Sequence, residues 1–148
     1  MSRYRTHVGQ ELEMMLSGVK PLAMFYGDAD SERDERIIPE RRFSPYVQKG
    51  QFVKQEFILE CAVDPRTNKP IRVRYVFYAS ASEQWRMDAM RLTVQIMARM
   101  GGADEGLDRM MGILLGHSPE EVDEFVGKCT TQYRKFALKR YGDISGVQ

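Results

Sequence analysis

The chain has two histidines, His7 and His117, and two cysteines, Cys61 and Cys129. The side chains that most often carry acid–base, nucleophilic or soft-metal chemistry are therefore few. His7 and Glu11 stand four apart where a helix is expected, which puts them on one face with Glu13 close in sequence. One imidazole among carboxylates is a thin ligand set, and His117 falls at a distant turn between helices. The pair reads as a surface contact, and neither a metal nor a cofactor is expected. Neither cysteine has CxxC spacing, and both fall on apolar faces where a thiol acts as inert packing. No Ser-His-Asp or Cys-His order is evident. Gly101-Gly102 lacks the Lys-Ser/Thr that ends a phosphate-cradling loop, and it reads as a helix terminator.

Arginines supply the remaining chemistry. Arg72 and Arg74 lie on the polar side of an expected hairpin, Arg42 ends the run Glu40-Arg41-Arg42, and Arg86 follows the single tryptophan, Trp85. If the segment before Phe43 folds over the hairpin's polar face, Arg42, Arg72, Arg74 and Arg86 would hold a carboxylate or phosphate ligand bidentately. The competing expectation is ordinary cross-strand pairing of these arginines with Glu56 and Glu60.

The hairpin that must position them is the clearest element. Val53, Gln55, Phe57, Leu59, Cys61 and Val63 alternate with Lys54, Glu56 and Glu60. Ile71, Val73, Tyr75, Phe77 and Ala79 alternate with Arg72 and Arg74. Such a period of two implies one packed face and one watered face. With strands over 52–63 and 71–79 and the turn centred on Thr67, Phe57 opposes Phe77, Leu59 opposes Tyr75, and Glu60 opposes Arg74. A short apolar strand is expected near 22–26, after a helix over 6–17 that Gly18 ends. Residues 27–36 are almost wholly polar and read as an exposed loop. Ser44-Pro45 reads as a cap and first-position proline of a short helix.

After Ser80 the pattern is helical. Ser80 and Glu83 have capping-box spacing, and Trp85, Ala89, Leu92, Ile96 and Met100 form a stripe, so Trp85 is expected to pack on the hairpin's apolar face. Leu107 to Leu115 forms a shorter helix. Ser118-Pro119-Glu120-Glu121 combines an N-cap, a first-position proline and a capping-box glutamate, opening a helix that runs to about Arg140. Residues 107–140 thus have the outline of a helix-turn-helix. The second helix, however, begins with Glu120, Glu121, Asp123 and Glu124, which would repel phosphates and argue against nucleic acid. Its later Lys128, Arg134, Lys135, Lys139 and Arg140 would complement that acidic start in an antiparallel copy, so a homodimer through 119–140 is expected.

Composition agrees with one ordinary globular domain over 1–148. Apolar residues make up 43%, charged residues 29%, and the net charge is +1, which excludes a disordered tail and a broad basic field. No run reaches the length of a membrane span, no signal-peptide pattern follows Arg3 and Arg5, and two thiols suit a reducing cytoplasm. The expected class is α+β, with a small antiparallel sheet packed against several helices and a helical C-terminal half. The favoured function is a non-catalytic interaction or regulatory domain, acting as an oligomer or on a protein partner. The alternatives are a small anionic-ligand binder or enzyme using the four arginines, and nucleic-acid binding through 107–140.

Overall fold

The computed structural model describes residues 7–101 and 104–128. Alternating side chains in the middle of the chain build its sheet: β2 (Phe52–Asp64) and β3 (Lys69–Ser80) form a long antiparallel hairpin. β1 (Leu22–Asp28) pairs antiparallel to the other edge of β3, giving the order β1-β3-β2. Helices α1 (Glu11–Leu16), α2 (Glu40–Gln48), α3 (Trp85–Met100) and α4 (Glu105–Leu114) surround it. Residues 119–128 are also helical and are called α5 here. The α+β class expected from the pattern is what the chain adopts. None of the described helices is long and apolar enough to cross a membrane.

The sheet is covered on both sides, so the hairpin's second face is not simply watered. One face packs Ala23, Val76 and Tyr78 beneath Leu12 and Met15 of α1 and Phe43 of α2. The opposite face packs Leu22, Phe57, Phe77 and Ala79 beneath Met87, Met90 and Val94 of α3 and Leu114 of α4. A strand buried on both faces needs apolar side chains at successive positions. Val76 to Ala79, all at most 1% exposed, supply them at the centre of β3.

The hairpin register differs from the expected one by two residues: Phe57 faces Tyr75, Leu59 faces Val73, and Glu60 faces Arg72. The connecting turn closes between Asp64 and Lys69 with Asn68 in the left-handed region, and an irregularity between Glu60 and Val63 adds a further step. Because the slip is even, the side chains up to Glu60 keep their expected faces, whereas the one-residue step before Val63 reverses the pairing near the turn.

Three helix starts also differ. The first helix spans only Glu11–Leu16, preceded by a turn, so His7 is not helical. α2 begins at Glu40 with Pro45 inside it, because the Glu35 carboxylate accepts the Arg41 N–H at 3.0 Å and supplies the cap that Pro39 lacks. Ser80 makes no side-chain cap; a 3-10 turn over Ala81–Glu83 leads into α3, and Glu83 pairs instead with Arg86.

Trp85 is the largest correction. It is 57% exposed, with Leu92 at 59%. α3 carries two apolar stripes, and the one that docks holds Met87, Met90 and Val94. Flexible methionines fill the gaps between Phe57, Phe77 and Leu22 that a rigid indole would not. The later part of the expected C-terminal helix, with Cys129, Lys135, Lys139 and the homodimer contact built on them, lies outside the described residues.

Candidate functional site

Two distant segments meet where α4 turns into α5. Gly116 has a φ of +85°, and a Cβ there would lie 2.4 Å from Pro21 Cδ, so glycine is required both for the turn and for the approach of Pro21. That approach brings in the neighbouring Lys20, whose Nζ donates to the carbonyl of Leu115 at 2.8 Å and lies 2.8 Å from His7 Nδ1. The His7 ring stacks on His117, with centroids 3.8 Å apart and planes 7° from parallel. His117 Nδ1 meets Glu121 Oε2 at 3.0 Å, and His7 Nε2 lies 3.7 Å from the same oxygen. Glu121 is held by the expected capping box: its Oε1 accepts the Ser118 N–H, and Ser118 Oγ accepts the Glu121 N–H.

The donors order themselves along this chain of contacts. The Lys20 ammonium donates to His7 Nδ1, which places the His7 proton on Nε2, facing Glu121. The Glu121 carboxylate likewise accepts from His117 Nδ1, and Nε2 of that ring has no partner among the described residues. Burial, reinforced by Lys20 and His117, pushes the His7 imidazole down to about 4. Burial likewise pushes Lys20 down to about 8. For Glu121, burial acts upward, but hydrogen bonds from His117 and Ser118 outweigh it and hold the carboxyl below its ordinary value.

Two imidazoles and a carboxylate with donor atoms within 4.8 Å of one another also resemble a metal ligand set. The ring geometry opposes that use. Each imidazole binds a metal in its own plane at about 2.0–2.1 Å. Parallel planes 3.8 Å apart share no such point, and an ammonium already occupies His7 Nδ1.

The four arginines expected to clamp an anion are not gathered into one site. Arg42 pairs with Glu13 at 2.8 Å, and Arg72 with Asp30 at 2.6 Å. Arg74 pairs with Glu56 at 2.6 Å and also with Glu40. Arg86 pairs with Glu83, stacks on Trp85 and donates to the carbonyls of Ile113 and Leu114. The segment before Phe43 does fold over the hairpin, enclosing a cleft of about 510 Å³. Of the four arginines only Arg74 lines it, alongside six carboxylates, Asp28, Glu32, Asp34, Glu35, Glu40 and Glu56.

Nothing in the sequence announces the His7–His117 encounter directly. Both residues and the Ser118–Glu121 cap were visible, but nothing local joins position 7 to position 117. Gly116, in a turn that could have ended with other residues, was the one available signal. No protein family, curated protein or solved structure matches the chain.

Proposed function

We propose that the protein is a non-catalytic, cytoplasmic interaction domain that works as a homodimer through the outward side of α3. The observation that carries this reading is the second apolar stripe of α3: Trp85 at 57%, Leu92 at 59% and Ile96 at 37% exposure share one helical face directed away from the sheet. The Arg86 guanidinium lies over the Trp85 ring at 4.7 Å and donates to the Ile113 carbonyl, tying that face to the exposed Ile113 of α4. Tryptophan and arginine beside aliphatic groups are the residue types that dominate binding energy at protein contacts. A second copy can present the same stripe about a two-fold axis, which is how closed dimers form.

Anion binding by the four arginines has less support, because each already meets a carboxylate. Nucleic-acid binding has less support again, since α5 opens on Glu120, Glu121, Asp123 and Glu124, and the basic Arg109 beside them is engaged by Asp123 and Glu105.

The test uses the one tryptophan as reporter. Light scattering and Trp85 emission are followed together across a dilution series. The expected result is a dimer whose dissociation shifts the emission red, and a Leu92→Glu variant that stays monomeric. A monomer at every concentration, or a dimer unaffected by Leu92→Glu, overturns the proposal.

A further inference from the structure

We propose that the space between α4 and α5 is a binding site for a small, mostly apolar molecule bearing one neutral hydrogen-bond donor, a phenol above all, with His117 Nε2 as the acceptor. The cavity there has a volume of about 170 Å³. Engineered apolar cavities of about 150 Å³ admit benzene. Met111, Leu115, Val122 and Phe125 supply its apolar walls, and His117 and Glu121 lie at its polar end. Gly112 opens it: a Cβ at that position would sit 2.9 Å from Val122 Cγ2, so any larger residue would push the helices apart or fill the space.

The polar end selects the ligand. Glu121 is committed to His117 Nδ1 and to the Ser118 N–H, and His117 Nδ1 is committed to Glu121. What remains on the polar lining is His117 Nε2, for which no described residue is a partner. Its ring is fixed from below by the stacked His7, which Lys20 holds in turn. An anionic ligand would meet the carboxylates of Glu121 and Asp108, which both line the cavity. A cationic one would lose its water among Met111, Leu115 and Phe125 without gaining a carboxylate that lacks other partners. A neutral O–H donor on a ring satisfies Nε2 and buries its apolar part, and the Met111 thioether suits an aromatic face. This site stands apart from the α3 stripe and does not depend on dimerisation.

The probes are phenol and toluene, alike in shape but differing in the donor. Each is titrated into the full chain while the Leu115 and Val122 methyls and the imidazole nitrogens are followed by NMR. Both probes are expected to move the methyls. Phenol should bind about three- to tenfold tighter than toluene, the worth of one neutral hydrogen bond. It should shift Nε2 of His117 while leaving Nδ1 in place. His117→Phe should keep toluene binding and abolish the advantage of phenol. Methyls unmoved by millimolar amounts of either probe overturn the proposal, as does a phenol preference that survives His117→Phe. Should that variant fail to fold, an Nε2 signal indifferent to saturating phenol in the unaltered protein overturns it equally.

Discussion

The protein buries two polar clusters that treat protons in opposite ways. Around Arg74, cations and carboxylates alternate: the guanidinium meets Glu56 and Glu40, and Lys54 meets the same two acids at 3.6 and 3.1 Å. Hydrogen bonds from Arg74 hold the Glu56 carboxyl below its ordinary value. For Glu40 they and Lys54 overcome an upward push from burial. Around His7, three basic side chains meet the carboxylate of Glu121, with Glu11 also acting on Lys20, and burial drives His7 and Lys20 toward their uncharged forms. Burial opposes the charge in both clusters, and the charge survives it only where counter-charges and hydrogen bonds outweigh it. Where counter-charges run short, burial makes the group give up its proton at a lower pH than usual.

Breaking the first cluster should have the largest effect. Arg74→Met leaves Glu40 and Glu56 facing each other under the loop. Stripping one partner from a buried pair typically costs about 3–5 kcal/mol, and the partial exposure of Glu56 places the expected loss near the lower end. Urea denaturation measures it, and a loss below about 1 kcal/mol would mean that Lys54 alone neutralises both acids.

The pH dependence separates the two clusters. Unfolded His7 takes up a proton near its ordinary 6.5, whereas the folded side chain resists until about 4. Between those values the unfolded chain binds more protons, so stability falls as pH drops through that window, by about 3 kcal/mol in all. Glu40 and Glu56, held below 4.5, add their own loss only under that pH. His7→Phe should therefore remove the slope between pH 6.5 and about 4.5 and leave the steeper acid limb intact. Lys20 predicts a slope of the same sign at the alkaline end: stability should rise as pH climbs from about 8 toward 10.5. Melting curves across pH check both windows.

Tyr78 gives a smaller effect beside the Arg74 cluster. Its hydroxyl is buried without a hydrogen-bond partner among the described residues, although its ring stacks on Phe43 at 4.2 Å. Tyr78→Phe should keep the stack and relieve the desolvated oxygen, raising stability by about 1 kcal/mol. A loss of stability would show that the oxygen has a partner, such as a bound water. Trp85→Ala sets the floor. With the indole outside both clusters and 57% exposed, the monomer should change by less than about 0.5 kcal/mol, measured by denaturation at concentrations below association.

Local pattern and local chemistry determined the hairpin, the strand near Leu22, the capping box of Ser118 and Glu121, and the glycine stops at Gly18 and Gly101. Each depends on neighbours within a few residues, or on an alternation that survives an even slip of register. The pairing of Arg74 with Glu56 was legible for the same reason, since adjacent strands carry both. Only the tertiary structure decided which stripe of α3 turns inward, because Trp85-Leu92-Ile96 and Met87-Met90-Val94 are both apolar at helical spacing. The choice rests on how each fits against Phe57 and Phe77. Only the tertiary structure, too, joined His7 to His117 and Glu121. That meeting needs Pro21 to pass over Gly116 with under 4 Å between them, a contact between segments whose sequences carry no mark of one another.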